Sequence, residues 1–115
     1  MNLRFQADAD LNPAIGRGLR RREPSVDFRA AAGVVPDGTP DLEVLRITAE
    51  AGRELVSRDV STMPGRFEQF IQTQESPGLL LVHSQRAIGS VIEGLLLVWI
   101  CWTETDLRNK ARWLP

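Results

Sequence analysis

Short apolar runs alternate with helical patterns along the chain, and this alternation limits the fold more than any other feature. Strands separated by helices favour right-handed crossovers and a parallel sheet covered by helices on both faces. The sequence therefore predicts a three-layer α/β/α domain spanning residues 1–115, with a mostly parallel central sheet of four to five strands. The predicted strands cover residues 3–7, 26–30, 54–58, 79–82 and 111–114.

Asparagine, threonine and proline mark the starts of the predicted helices. Asn12 is a good N-cap, and Pro13 suits the first position of a helix that continues to about Arg22. Thr39 and Pro40 repeat this signature before a second helix. Pairs of this kind place a helix after the first strand and another after the second, as the alternating fold requires.

The longest apolar stretch covers residues 87–102. It is shorter than the roughly 20 residues that a membrane-spanning helix needs, so we expect a buried helix and no membrane segment. Leu96, Leu97 and Ile100 make its second face apolar as well, which favours a homodimer formed through this helix. The first nine residues contain charges and no apolar segment, so we expect no signal peptide and a cytoplasmic location.

Composition excludes several kinds of chemistry. Cys101 and His83 are the single cysteine and the single histidine, which excludes a disulfide within the chain and a zinc cluster of the usual spacing. The formal net charge of −1 creates no strong field toward a nucleic acid or a membrane. Thirteen of the fourteen basic residues are arginines, however, and arginine favours bidentate contacts with carboxylate or phosphate.

Aspartates stand at the ends of predicted strands. Asp8 follows the first strand, Asp59 follows the third, and Asp41 opens the helix between the second and the third. Because parallel strands bind ligands at their carboxyl ends, we expect these carboxylates to converge, with Asp10 as an additional metal ligand. Clustered carboxylates repel one another unless a cation neutralises them, and oxygen ligands suit Mg²⁺ or Mn²⁺. The pattern predicts metal-assisted hydrolysis of a phosphodiester, with Asp8, Asp41 and Asp59 as catalytic residues.

These aspartates also have structural interpretations. Asp10 suits the cap of the first helix, Asp41 is an ordinary first-turn acid, and Asp59 fits an Asx-turn. Asp8 has no obvious structural role. A receiver-like phosphoacceptor domain also uses acids at strand ends, but it needs a lysine on a late strand, and the single lysine, Lys110, is poorly placed for that.

Arginines near the acids are the candidate substrate-binding residues. Arg17, Arg20 and Arg21 lie on the first predicted helix, where they are candidates to bind RNA phosphates. Arg58 stands beside Asp59 and is a candidate contact to the scissile phosphate. The structural alternatives are a solvated helix end for the first group and an ion pair with a nearby acid for Arg58.

A series of short sequence blocks, in a fixed order, covers essentially the whole chain. The blocks are Phe5–Asn12, Gly18–Arg22, Val26–Asp27, Asp41–Leu45, Leu55–Asp59, Thr62–Pro64, Ser76–Val82, Ile92–Leu95 and Trp113–Pro115. Together they resemble a family of short bacterial PIN-like proteins. That family is classified mainly as a domain of unknown function.

This resemblance implies a PIN-like α/β/α fold and a Mg²⁺- or Mn²⁺-dependent ribonuclease. Many PIN domains are toxins of bacterial toxin–antitoxin pairs, so the resemblance also implies RNA as the substrate and an antitoxin protein as a partner. Asp8, Asp41 and Asp59 match the family's acidic positions, with Asp10 as an extra ligand, while no residue clearly fills a fourth acidic position. The alternative prediction is a non-catalytic PIN-like interaction or regulatory module with the same fold.

Overall fold

The computed structural model describes residues 2–115 and shows a five-stranded, all-parallel sheet with five helices. The strands are β1 (Arg4–Ala7), β2 (Asp27–Arg29), β3 (Glu54–Ser57), β4 (Leu79–Leu81) and β5 (Ala111–Trp113). The helices are α1 (Pro13–Arg22), α2 (Asp41–Ala51), α3 (Met63–Phe70), α4 (Ile88–Cys101) and α5 (Glu104–Leu107).

The strand order is β2-β1-β3-β4-β5, and every neighbouring pair is parallel. The chain thus places β2 on one side of β1 and all later strands on the other side. In open parallel sheets, this reversal marks the crevice in which ligands bind, outside the carboxyl ends of the strands. Here the crevice lies between β1 and β3, the two strands that Asp8 and Asp59 follow.

Helices cover both faces of the sheet. One apolar cluster joins residues of α1 and α4 to one face, and a second cluster joins residues of α2 and α3 to the other. Successive strand residues alternate between them, so that Leu55 belongs to the α2 side and Val56 to the α1 side. The predicted three-layer α/β/α fold with a mostly parallel sheet is therefore confirmed.

The first helix begins as predicted, whereas the second begins with a different cap. Asn12 accepts the backbone N–H of Ala14 at 2.9 Å, and Pro13 occupies the first helical position. The N-cap of α2 is Pro40, not Thr39, because the Thr39 hydroxyl donates to the Pro36 carbonyl oxygen at 2.6 Å instead. The predicted threonine cap is therefore wrong by one residue.

One face of α4 is buried in the chain's own core. Val91, Leu95 and Val98 are at most 1% exposed. Leu97 and Ile100 stay 49% and 70% exposed on the outer side of the helix. None of the helices described for residues 2–115 combines the length and the apolar character that crossing a membrane requires.

Candidate active site

Asp8 is the most buried of the candidate acids, with 7% of its surface exposed. Its backbone N–H continues the sheet by donating to the Val56 carbonyl oxygen at 3.0 Å. In the side chain, Oδ1 accepts the backbone N–H of Ala9 at 2.8 Å and Oδ2 accepts the Ser57 hydroxyl at 2.7 Å. Since β3 pairs with β1, Ser57 is fixed beside the end of β1, and the Asp8 carboxylate has one defined orientation.

Asp59 closes the turn that leads into α3. Its Oδ1 accepts the backbone N–H groups of Ser61 and Thr62 at 3.2 and 2.9 Å. This is the Asx-turn that the sequence allowed as a structural role for Asp59. Burial raises the pKa of Asp59, but the hydrogen bonds from Thr62 and Ser61 outweigh it and leave that pKa below its ordinary value. Asp59 is therefore a stable carboxylate, held by its own loop.

The Thr62 hydroxyl lies between two carboxylates. It is 2.8 Å from Oδ2 of Asp41 and also within hydrogen-bond distance of Oδ2 of Asp59. A hydroxyl has one proton and can donate to only one of them. In the other contact, a carboxylate oxygen faces the lone pairs of the Thr62 oxygen. A cation or a proton between these two oxygens would stabilise the contact.

Asp10 and Arg58 occupy the outer part of the same edge. Oδ1 of the exposed Asp10 accepts the backbone N–H of Arg58 at 3.3 Å. The Arg58 guanidinium donates through Nη2 to the Ser84 carbonyl oxygen at 3.4 Å, and its Nε is buried without a partner among the described residues. No ion pair involves Arg58 within residues 2–115, although its charge acts on the nearby Asp10.

The electrostatics show that the four carboxylates form one group. Burial raises the pKa of Asp8, hydrogen bonds from Ser57 and Ala9 oppose it, and the charges of Asp41 and Asp59 raise it further. For Asp10, partial desolvation and then the charge of Asp8 raise the pKa. Acids that are far apart in the sequence therefore repel one another at the carboxyl edge.

The oxygen atoms of this group suit a hard cation, but in the structure the carboxylates are not close enough together to enclose one. Carboxylate and hydroxyl oxygens are the ligands that Mg²⁺ prefers. Within residues 2–115, no three His, Cys, Asp or Glu side chains are close enough together to enclose a metal ion.

The arginines of α1 lie apart from the acids. Arg20 and Arg21 lie in the last turn of α1, and neither side chain forms a hydrogen bond or an ion pair with the acids among the described residues. Arg20 donates through Nη1 to the Phe28 carbonyl oxygen at 2.9 Å. Arg17 is exposed one turn earlier, and Arg22 pairs with Glu93 of α4 at 2.7 Å. Of the predicted substrate-binding residues, only Arg58 touches the acidic group.

The structure also places the single lysine, Lys110, and the single histidine, His83. Lys110 immediately precedes β5 and lies at the amino edge of the sheet, where its carbonyl oxygen accepts the N–H of Leu79. This is the edge opposite the acids, so Lys110 does not face them. His83 follows β4 and stacks on the ring of Trp113, with ring centroids 4.1 Å apart.

The structure adds three residues that the sequence reasoning missed. Ser57 and Thr62 hold the acids at the carboxyl edge. Glu54 is a 2% exposed carboxyl at the opposite edge, and burial raises its pKa to about 7. Glu54 directly precedes the apolar Leu55 and Val56 in a predicted strand, but this local pattern does not specify that its carboxyl group is buried.

No family model, no curated protein and no solved structure matches this chain.

Proposed function

We propose that the chain is an endoribonuclease that depends on Mg²⁺ or Mn²⁺. The observation that carries the proposal is that Asp8, Asp41 and Asp59, from three separate segments, lie at the carboxyl edge of a parallel sheet beside its reversal point. There the Thr62 hydroxyl contacts both Asp41 and Asp59, and Ser57 contacts Asp8. Carboxylates placed near one another destabilise the folded protein unless a cation neutralises them. Their presence at one edge therefore favours a cation-binding role. The identity of the substrate as RNA comes from the resemblance to PIN-like proteins.

Each residue of the edge has a proposed role. Asp8, Asp41 and Asp59 would hold the cation, with Asp10 beside them, and the cation would supply charge for the phosphate and lower the pKa of a water. Ser57 fixes the orientation of Asp8. Arg58, which lacks a carboxylate partner, would bind a non-bridging phosphate oxygen and hold the backbone next to the acids.

One observation favours a different function, that of a non-catalytic interaction module. Asp59 and Asp8 already accept hydrogen bonds from their own loops, so each acid has a structural role without a metal. On that view the acids are caps and turn residues, and the domain acts through its surfaces. The two functions differ in one measurable property, the response of the folded state to divalent cations.

Mn²⁺ or Mg²⁺ is expected to raise the melting temperature of the protein. A ligand at ten times its Kd stabilises the native state by about 1.4 kcal/mol. For a domain of this size, that corresponds to a rise of roughly 4–8 °C. Differential scanning fluorimetry with and without the cation measures it, and KCl at matched ionic strength controls for general screening. An equal melting temperature in Mn²⁺ and in KCl would favour the interaction module.

The proposal also includes two protein partners. The exposed Leu97 and Ile100 on α4 are the surface on which we place a second copy of the chain, and an antitoxin is the partner implied by the PIN-like resemblance. Replacing Ile100 with glutamate is expected to convert the dimer to a monomer in sedimentation velocity, with unchanged RNA cleavage. A wild-type chain that sediments as a monomer would reject the dimer and leave the nuclease proposal untouched.

A further inference from the structure

A cavity of about 350 Å³ opens next to the carboxylates, on the α1 side of the sheet. It lies between the start of α1, the carboxyl ends of β1 and β2, and the loop over residues 30–37. Ala7 and Ala9 line it, and they flank Asp8 in the chain. The Asp8 side chain points the other way, toward Ser57. The cavity and the acidic group are therefore neighbours that share one stretch of backbone.

Small residues and one aromatic ring form much of the cavity wall. Gly16 and the alanines at 30, 31 and 32 line it together with Phe28. At Gly16 a Cβ atom would lie 2.9 Å from the Phe28 ring, so glycine is the residue that lets α1 approach this ring. Apolar clefts of this volume, with few polar groups, are the usual form of small-molecule sites. A planar ring system suits the space beside Phe28.

Three polar side chains surround the apolar walls, and each offers a different kind of group. Oδ1 of Asn12 already accepts the Ala14 N–H, so its amide nitrogen remains as a donor. Asp37 provides a carboxylate acceptor, and Arg20 provides a cation held by the Phe28 carbonyl oxygen. A donor, an acceptor and a cation around an aromatic wall match a heterocyclic base attached to a phosphate.

We propose that this cavity binds one base of single-stranded RNA, next to the scissile phosphate, and that it prefers a base carrying an amino group. Asp37 accepts from that amino group, as carboxylates do from cytosine. The identity of the ligand rests on the proposed ribonuclease function, because the adjacent acids mark where the phosphodiester would lie. Base recognition itself needs no metal and no cleavage.

The test uses the full chain in EDTA, so that no divalent cation contributes. Cytidine 5′-monophosphate, uridine 5′-monophosphate and ribose 5-phosphate are titrated separately while amide NMR signals are followed. Cytidine monophosphate is expected to shift the signals of Ala9, Gly16 and Ala32 and to bind about tenfold more tightly than the uridine nucleotide. Ribose 5-phosphate is expected to leave those signals in place.

A pocket-filling variant and a matched control complete the test. Ala32 is an exposed residue of the cavity wall, so Ala32→Phe blocks the space without removing core packing as a Phe28 variant would. Ala32→Phe is expected to weaken cytidine monophosphate binding at least tenfold, whereas Ala111→Phe, on the exposed β5, is expected to leave it unchanged.

The outcomes separate this inference from the nuclease proposal. Equal binding of ribose 5-phosphate and the nucleotides, or equal affinity in Ala32→Phe and wild type, would overturn the base site even if metal-dependent cleavage occurs. Equal affinity for the cytidine and uridine nucleotides would overturn the preference for an amino group. Base-dependent binding without any RNA cleavage would leave the cavity assigned and reject the nuclease.

Discussion

Replacing Asp8 with asparagine is expected to lower metal-dependent RNA cleavage by about 100-fold or more without unfolding the protein. The proposed site loses its most buried carboxylate, and the remaining acids hold a cation less tightly. Asparagine has nearly the same shape and can still accept from Ala9 or Ser57. Cleavage of a labelled RNA in Mn²⁺, followed over time for wild type and variant, measures the loss.

The melting temperature of Asp8→Asn distinguishes whether Asp8 binds a cation or has only a structural role. Burial and the charges of Asp41 and Asp59 raise the pKa of Asp8, so its ionised form is disfavoured in the folded state. Without divalent cations, Asp8→Asn is therefore expected to melt at or above the temperature of wild type, and Mn²⁺ is expected to shift it less. A structural Asp8 would instead give a lower melting temperature and an unchanged response to Mn²⁺.

The matched control is Glu68→Gln. Glu68 is an exposed carboxylate on α3, outside the group of acids at the carboxyl edge. Its replacement removes the same charge from the chain, so the variant is expected to keep both the cleavage rate and the Mn²⁺ response of wild type. If Asp8→Asn cleaves RNA as fast as Glu68→Gln does, Asp8 has no part in catalysis.

The location of the acids was predictable from sequence because it depends on few facts. Asp8 and Asp59 directly follow apolar strands, and all parallel strands end at one edge of a sheet. The hydrogen bond between Ser57 and Asp8 was not predictable, because it depends on strand order. Ser57 reaches Asp8 only because β3 pairs with β1, and no pattern within either strand specifies that pairing.

The opposite edge of the sheet shows a second limit of sequence reasoning. Glu104, whose charge acts on Glu54, belongs to α5, a helix of four residues. Such a segment is too short to show helical periodicity, and α5 depends on a capping box between Thr103 and Asp106. The burial of Glu54 therefore follows from a long-range arrangement that local patterns do not contain.

Glu54→Gln is expected to stabilise the protein by about 3 kcal/mol above pH 7 and to remove the part of the pH dependence of its stability that comes from Glu54. Glu54 lies at the start of β3, where Oε1 accepts the backbone N–H of Arg4 at 2.8 Å. Burial, and to a smaller extent the charge of Glu104, raises the pKa of Glu54 from 4.5 to about 7. Glutamine keeps the acceptor for Arg4 and never becomes charged.

The sign of the effect follows from proton binding. Between pH 4.5 and about 7, the folded state keeps a proton on Glu54 that the unfolded state has released. The free energy of unfolding of wild type therefore falls as the pH rises through this range. Below this pH range, Glu54 is protonated in both the folded and the unfolded protein, and its contribution to stability is fully present. Urea denaturation from about pH 4 to about pH 8 measures the slope for wild type and Glu54→Gln.

Glu75→Gln provides the matched control, because Glu75 is an exposed carboxylate near Glu54 at the same edge of the sheet. Glu75→Gln removes an exposed negative charge from that edge and leaves the buried Glu54 in place. The slope of its free energy of unfolding against pH should therefore equal that of wild type. The raised pKa values of Asp8 and Asp10 give slopes of the same sign, which Glu54→Gln retains. A Glu54→Gln variant that is less stable than wild type above pH 7 would show that the ionised carboxylate stabilises β3, contrary to its burial.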